Sequence, residues 1–283
     1  AELNDLAGLH VVVSAGGTRE YLDPVRFIGN RSSGLQGFAL ARAAIARGAE
    51  VTLVAANVSL PDPAGAKVVR VETTAQLRDA VVEAAANADA VVMAAAPADF
   101  RPTTVSDAKI KKADDGSTPV IELDQNPDIL AEISTNRPGP RTVVVGFAAE
   151  TEDVINNAFK KLESKNVDLI VANDVSAGTG VMGGDANSIH LVTADGVDSW
   201  ERLPKAEVAR RLAGRPHPRR GRHVQCRDPV HRTAVGRGVH HPCGHRRLLH
   251  ELLGRGEALL VQQVVEPRGE VGHPGLLSVV GSW

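Results

Sequence analysis

The fold is decided by "LHVVVSAGG" (residues 9–17), followed after a long loop by "SSGLQGFALARAAIARG" (residues 32–48) and "EVTLVAA" (residues 50–56). The first and last of these are short apolar runs, which are typical of strands buried on both faces of a parallel sheet. The middle segment has the helical period, with Ser32 or Ser33 as the predicted N-cap and Gly48 as the predicted stop. Strand, helix and strand in this order predict a βαβ unit.

The same alternation continues to about residue 213. Three more strands are predicted in "DAVVMAAA" (89–96), "RTVVVGFA" (141–148) and "VDLIVAN" (167–173), with helices in "TTAQLRDAVVEAAANA" (73–88), "NPDILAEIST" (126–135), "TEDVINNAFKKLESK" (151–165) and "PKAEVARRLA" (204–213). Residues 188–203 alternate apolar and polar around a turn, which predicts an antiparallel hairpin. We therefore predict an α/β, Rossmann-like three-layer fold with a mostly parallel central sheet and a C-terminal antiparallel hairpin.

Two helix starts can be predicted in detail. Thr73 is followed three residues later by Gln76, which is the spacing of a capping box. Asn126 is the predicted N-cap of the next helix, and Pro127 occupies its predicted first position, where proline is favoured.

The last seventy residues differ from the rest of the chain. Residues 214–283 contain eleven Arg, no Lys and five acidic residues, a net charge of +6, so residues 1–213 carry −8 of the total of −2. This Arg/His/Gly-rich segment has no sustained period, and out-of-frame translation of GC-rich DNA would give such a composition. We predict a domain over 1–213 and a poorly ordered, frameshifted or non-native tail over 214–283.

The tail contains one group of possible metal ligands: His240, His241, Cys243 and His245. They are crowded and lack a C-x-x-C partner, so we interpret them as a result of the tail's composition, and the sequence leaves the residues of any metal site unassigned.

The bulk composition excludes several classes of protein. A net charge of −2 gives no reason to expect nucleic acid or an anionic membrane as a partner. No apolar run approaches the roughly 18 residues of a membrane span, and two cysteines do not make a disulfide framework. We expect a cytoplasmic protein.

Ligands of parallel sheets bind beyond the carboxyl ends of the strands, so the loops at those ends are the candidate site. The loop over residues 16–34 is much longer than usual, which suggests function. Gly16 and Gly17 would let a phosphate approach the backbone, and the following helix start is a second possible anion site. A long surface loop with turn glycines is the alternative.

The usual nucleotide motifs are absent from the sequence. The glycine spacing is not G-x-G-x-x-G, no acidic residue ends the second strand, and no Walker motif occurs. These absences disfavour a nicotinamide- or flavin-dependent oxidoreductase and exclude a P-loop enzyme.

Lysine is scarce but clustered. Of eight lysines, three lie in "KIKK" (109–112) and three in "KKLESK" (160–165), and Asp99 precedes the first cluster. Lys161 and Lys165 share a helix face, which by itself is usually solvated. Together with the arginine-rich loop 16–34, these clusters predict a polyphosphate ligand.

Seven motifs in this order resemble the phosphopantothenate–cysteine ligase domain of bacterial bifunctional coenzyme A biosynthesis proteins. They are "SAGGTREYLDPVRFIGNRSSG", "AAAPADFRP", "KIKK", "NPDIL", "GFAAET", "KKLESKNVDLIVANDV" and "GGDAN". The resemblance covers about residues 8–212. It implies that the 4′-phosphopantothenate carboxylate attacks the α-phosphorus of CTP, releasing pyrophosphate, and that the amine of L-cysteine then displaces CMP from the acyl-cytidylate.

The resemblance also implies roles for individual residues. Asn30 and Lys109 would be catalytic, Asn30 would also bind the pantothenate chain and acyl group, and Arg26 is a further candidate for the substrate phosphate. The CTP-binding residues would be Asp99, Lys109, Asn126, Pro127, Asp128, Ile129, Phe147, Lys161 and Lys165. Phe147 would pack against the base or ribose, with a core position as the alternative.

The resemblance implies that Mg²⁺ accompanies CTP and that a second copy of the chain completes a homodimer. It implies no flavin in this domain. The flavin-dependent decarboxylase that is usually fused to this domain is expected to be absent from the chain. A nucleotide sensor that binds the triphosphate without turnover is the remaining alternative.

Overall fold

The computed structural model describes residues 4–112, 114, 116–176 and 184–215. The strands are β1 His10–Gly16, β2 Arg19–Tyr21, β3 Phe27–Gly29, β4 Glu50–Ala56, β5 Ala66–Val71, β6 Ala90–Met93, β7 Phe100–Pro102, β8 Leu123–Gln125, β9 Val143–Glu150, β10 Leu169–Asp174, β11 Ala186–Thr193 and β12 Gly196–Pro204. The helices are α1 Leu35–Ile45, α2 Thr74–Ala85, α3 Ile129–Thr135, α4 Val154–Ser164 and α5 Lys205–Ala213.

The central sheet has eight strands in the order β12-β11-β10-β9-β6-β1-β4-β5. Neighbours from β5 to β10 are parallel, whereas β11 and β12 form an antiparallel hairpin on the β10 edge. The predicted fold class is therefore confirmed, including the C-terminal hairpin. The short strand β5 and the two small hairpins β2–β3 and β7–β8 were not predicted from the sequence.

Helices cover both faces of this sheet. Val12 of β1 packs in the cluster that contains α2, α3 and α4, whereas Val11 and Val13 pack with α1 and α5. Successive side chains of a strand point to opposite faces, so an unbroken apolar run is buried on both. This explains why the apolar run "HVVVSAG" has no alternating polar residues. The same alternation of side chains places α1 and α5 on one face of the sheet, opposite α3 and α4.

One helix start matches its prediction and two do not. Thr73 and Gln76 form the predicted capping box. Helix α1 is instead preceded by Gly34, at φ +74°, and the predicted caps Ser32 and Ser33 lie outside the helix. A Cβ at residue 34 would lie 2.7 Å from Cγ2 of Val58, so both the backbone conformation and the packing require glycine.

Helix α3 is capped by Asp128, whose carboxylate accepts a hydrogen bond from the Ala131 N–H at 2.9 Å. The prediction of Asn126 as the cap and Pro127 as the first helical residue is therefore wrong. The carboxamide of Asn126 donates to the Ala98 carbonyl at 2.9 Å, so it serves a tertiary contact.

The last described residue is Arg215. The predictions for the tail beyond it, including the histidine cluster, therefore lie outside the described residues. Within the described ranges, every helix is too short or too polar to cross a membrane.

Arg137 joins the end of α3, the residue before β9 and the connection between α4 and β10. Its guanidinium donates to the Ser134, Thr142 and Asn166 carbonyls at 3.2, 2.9 and 2.6 Å, and it is ion-paired with Asp168. The side chains of both members of the pair are at least nine-tenths buried. Removing one partner of a buried pair is costly, because the other charge stays buried without compensation.

We expect Arg137→Met to lower the free energy of unfolding by about 3 kcal/mol, measured by urea denaturation. The matched control is Arg141→Met, because Arg141 is exposed four residues later, and a change within about 0.5 kcal/mol is expected there. Equal, small effects of the two substitutions would contradict the role assigned to Arg137.

Candidate functional site

A cleft of about 620 Å³ opens at the carboxyl ends of the parallel strands. Its walls come from the start of α1, the segment after β6, the start of α3, and the ends of β9 and β10. The sequence-predicted residues that line it are Asn30, Asp99, Asn126, Pro127, Asp128, Ile129, Phe147, Lys161 and Lys165. Residues from five separate stretches of the chain therefore meet at one edge of the sheet, as expected for a parallel α/β fold.

A second cavity, of about 120 Å³, lies beneath α1 and α5. Its lining is almost wholly apolar and comes from the opposite ends of strands such as β1 and β6. It offers few polar groups to orient a polar ligand, so the larger cleft is the candidate site.

The segment after β6 forms the floor of the cleft and is hydrogen-bonded to two other stretches of the chain. The Ala96 N–H donates to the Gly16 carbonyl at 2.7 Å, and the Ala98 N–H donates to Oγ1 of Thr18 at 2.8 Å. The Ala98 carbonyl accepts from Asn126, as described above. These bonds fix the backbone that carries Asp99, which lies exposed at the margin of the cleft.

Asn30 is held on the neighbouring wall. Its Nδ2 donates to the Pro97 carbonyl at 2.8 Å, and this contact orients the carboxamide oxygen away from that carbonyl. Phe147 lies half-buried at the end of β9 and lines the cleft as well as the apolar cavity. It therefore has a core contact on one side and a surface available to a ligand on the other.

Lys161 and Lys165 extend from α4 into the cleft, and each faces a carboxylate. Lys161 lies 2.6 Å from Glu150, and Lys165 pairs with Asp128. Burial by itself would raise the pKa of the Asp128 carboxyl. The hydrogen bonds from Lys165 and the Ala131 N–H, with the charges of Lys165 and Lys161, hold that pKa below its usual value.

The other predicted residues do not line the cleft. Lys109 is exposed, and its neighbour Ile110 is anchored to the β2–β3 hairpin through Asp23 and Arg26. The guanidinium of Arg26 also faces the Asp23 carboxylate at 3.5 Å. In this structure Arg26 therefore holds the β2–β3 hairpin and the lysine segment, residues 109–112, together.

Gly16 and Gly17 serve packing in the structure. A Cβ at residue 16 would lie 2.0 Å from the Ala56 carbonyl oxygen, and one at residue 17 would lie 2.4 Å from that of Asn30. The Gly17 N–H already donates to the Ala56 carbonyl at 3.2 Å, so this amide is engaged, and the phosphate contact stays a prediction.

Several lining residues were not predicted. Gln36 lies in the first turn of α1, Asn187 in β11 and Lys205 at the first position of α5. Asn187 belongs to the "GGDAN" motif, but nothing in the sequence placed it or Lys205 beside α1. Within the described ranges, no three His, Cys, Asp or Glu residues are grouped so that they could hold a metal ion by themselves.

Comparison with known proteins places the chain in a family. Residues 6–216 match the model of the DNA/pantothenate metabolism flavoprotein C-terminal domain. The chain belongs to this family. The family resemblance inferred from the seven motifs is thereby confirmed.

The similar proteins include the coenzyme A biosynthesis bifunctional proteins CoaBC of Mycobacterium tuberculosis and Vibrio cholerae. The first is 51% identical over 205 residues, 69% of this chain and 48% of its own length. The second is 47% identical over 208 residues, 72% of this chain and 51% of its own length. The chain thus spans about half the length of the curated relatives it matches.

A solved structure agrees with this family. The crystal structure of the C-terminal domain of a CoaBC protein superimposes with a TM-score of 0.63 at 37% identity, covering 75% of this chain and 95% of the other. A Cab2 mutant in complex with phosphopantothenate-cysteine has a TM-score of 0.62 at 18% identity, over 72% and 85% of the two chains, and shows the shared fold.

The pairing of Asp128 with Lys165 can be tested by titration. In Lys165→Met we expect the pKa of Asp128 to rise, because its strongest stabilising hydrogen bond is lost; side-chain carboxyl NMR measures it. The control is Asp174, whose pKa is lowered by Ser176 and should not move.

The pair also predicts a pH dependence of stability. The folded-state pKa of Asp128 lies below its usual value of 3.8. The contribution of the pair is therefore present above that value and is lost as the pH falls through the folded-state pKa. An unchanged Asp128 titration in the variant would contradict the pairing.

Proposed function

We propose that this chain is a phosphopantothenate–cysteine ligase that uses CTP and passes through an acyl-cytidylate. The observation that supports this proposal is that residues of five motif-bearing stretches line one cleft. The family to which the chain belongs includes proteins of coenzyme A biosynthesis. The proposal extends to cytoplasmic location and to 4′-phosphopantothenate, CTP and L-cysteine as substrates.

In the proposed first step, a carboxylate oxygen of 4′-phosphopantothenate bonds to the α-phosphorus of CTP, and the bond to the β-phosphate breaks. Two anions must approach each other, so cations have to neutralise the phosphates. Lys161 and Lys165 supply positive charge from α4. Lys109 does not line the cleft, so its catalytic role requires the segment 103–112 to shift toward the bound triphosphate.

Mg²⁺ is proposed to accompany CTP. Magnesium is commonly held by one or two carboxylates together with substrate phosphates, where it neutralises charge on the phosphoryl oxygens. Asp99 fits this requirement, because it lines the cleft and makes no ion pair with any residue that the structure describes.

In the proposed second step, the amine of cysteine bonds to the acyl carbon, the bond to the CMP oxygen breaks, and the amine loses a proton. Asn30 would hold the acyl group during this transfer. Its carboxamide is uncharged and can donate and accept, which suits a polar intermediate without a net charge at the acyl carbon.

A homodimer is also proposed. Phe27 of β3, Phe100 of β7 and Leu123 of β8 are 47%, 52% and 46% exposed, and all three lie in the two small hairpins. Exposed apolar side chains gathered on one part of a surface are typical of a protein–protein contact. This patch lies next to the lysine segment, so a second copy docking there would approach the cleft.

The function is tested by pyrophosphate release from CTP. We expect release to require 4′-phosphopantothenate and to continue over many turnovers only when L-cysteine is present. A nucleotide sensor would bind CTP without this release, and release without 4′-phosphopantothenate would indicate a different substrate.

Two variants separate the half-reactions. Lys109→Ala should lower the rate of pyrophosphate release by about 10²–10³ with little change in CTP affinity, because a charge that acts on the transition state is lost. Asn30→Ala should still release one equivalent of pyrophosphate but transfer the acyl group to cysteine slowly. Rapid-quench measurement of acyl-cytidylate and product distinguishes the two, and equal loss of both steps in Asn30→Ala would contradict its role.

A further inference from the structure

Three polar side chains at one end of the cleft take no part in the function proposed above. Lys205 begins α5, Gln36 lies in the first turn of α1, and Asn187 lies in β11. They are neighbours: Nε2 of Gln36 donates to the Lys205 carbonyl at 3.4 Å, and Asn187 pairs with Leu203 of β12, two residues before Lys205.

Lys205 differs from the two lysines of α4 that line the cleft. Its ammonium makes no hydrogen bond or ion pair with any described residue, whereas Lys161 and Lys165 each face a carboxylate. Burial lowers the pKa of the Lys205 ammonium, and the nearby charge of Asp185 opposes this shift without forming an ion pair. Because Asp185 acts on Lys205 without forming an ion pair, an anionic ligand would stabilise this partly buried cation further.

Two buried oxygen atoms at the same end of the cleft have no hydrogen-bond donor among the described residues. They are Oδ1 of Asn187, a residue only 5% exposed, and Oε1 of Gln36. The bond from Nε2 of Gln36 to a carbonyl fixes which end of that carboxamide is the acceptor. Buried acceptors are almost always paired, so both oxygens are available to donors that the described residues do not supply.

The cation and the two hydrogen-bond acceptors together indicate which chemical groups a ligand of this part of the cleft would carry. It must carry an anionic group for Lys205 and adjacent N–H or O–H donors for Gln36 and Asn187. The carboxylate and amine of an α-amino acid, separated by one carbon, have this combination.

We propose that Lys205, Gln36 and Asn187 form the subsite for the amino-acid substrate, L-cysteine, with Lys205 on its carboxylate and the two carboxamide oxygens on its amine. This inference rests on the proposed ligase function, which requires an amine donor beside the acyl group. It goes beyond that function by assigning three residues to the second substrate.

The ribose and phosphate of a nucleotide offer the same kinds of groups, but the position of the subsite favours the amino acid. Lys205 and Gln36 belong to α5 and α1 on one face of the sheet. The lysines proposed for CTP are Lys161 of α4 and Lys165, the C-cap of α4, and this helix packs on the opposite face. The two groups can therefore hold different substrates at once, with the acyl group between them.

The subsite also suits the chemistry of the amine. The attacking nitrogen must be unprotonated, and neutral carboxamide oxygens accept its N–H bonds without stabilising the ammonium form as a carboxylate would. The positive charge of Lys205 disfavours a second positive charge nearby, which lowers the pKa of the bound amine. As the nitrogen bonds to the acyl carbon, CMP leaves with the electron pair of the broken C–O bond, and the proton goes to solvent.

The test is steady-state and rapid-quench kinetics of Lys205→Met in the full chain. We expect the KM for L-cysteine to rise about ten- to hundredfold, the range for loss of a hydrogen bond to a charged group. The KM for CTP and the single-turnover release of pyrophosphate with 4′-phosphopantothenate alone should stay within about threefold. Lys205→Arg should restore part of the loss, and Gln36→Leu should raise the same KM.

Lys67→Met is the matched control, because Lys67 is exposed on β5 and does not line the cleft; it should leave every constant unchanged. A raised KM for CTP with an unchanged KM for cysteine would overturn the proposal and assign Lys205 to the nucleotide. Equal rises of both constants, or no change in either, would also overturn it.

Binding measured without turnover separates this proposal from the ligase proposal. Saturation-transfer NMR should detect L-cysteine on the wild-type chain with CTP present and a much weaker signal on Lys205→Met. If the wild type binds cysteine in this Lys205-dependent way but releases no pyrophosphate, the ligase function fails and the amino-acid subsite stands. If pyrophosphate release is normal and cysteine binding does not depend on Lys205, the subsite fails alone.

Discussion

The cleft depends on the hydrogen bonds that hold the backbone after β6. Parallel strands end at the same edge, and the chain that leaves a central strand must satisfy its N–H and C=O groups without a neighbouring strand. Here Gly16, Thr18, Asn30 and Asn126 provide the partners for Ala96, Pro97 and Ala98. The same four residues thereby connect the long loop after β1 to the start of α3, so one set of contacts positions both walls and the floor.

Behind this floor, the contacts of Thr18 continue into a buried polar chain. Its hydroxyl lies 2.8 Å from that of Thr74, which donates to the Glu20 carboxylate, and Glu20 also accepts from the Thr74 N–H at the start of α2. A carboxylate at a helix N-terminus is stabilised by the unpaired amides and the helix dipole. The loop 16–34 is therefore secured at one end by α2, although its sequence gives no sign of that partner.

The charges of the cleft have a consistent arrangement. On the α4 side, lysines face carboxylates of the protein, so an arriving phosphate has to compete with Glu150 and Asp128. On the α5 side, Lys205 makes no ion pair with a described residue, and the Asp185 carboxylate acts on it only through its charge. Two kinds of lysine thus lie at one edge of the sheet: Lys161 and Lys165 are paired with carboxylates, and Lys205 is not. They suit ligands of different charge.

The sequence by itself determined the order of the main strands and helices, the parallel sheet with its antiparallel edge, and the family. Apolar periodicity and capping residues such as Thr73 act over a few neighbouring positions. They therefore predict strands and helices without knowledge of the tertiary structure. Most site residues carried by the motifs also lie together, because parallel topology gathers the loops at one edge. Only the tertiary structure decided that Asn126 binds Ala98 while Asp128 caps α3, that Arg26 holds the lysine segment, and that Lys205 and Asn187 lie beside Gln36. Each of these depends on a partner distant in sequence, and local patterns contain no information about which distant group will be within hydrogen-bonding distance.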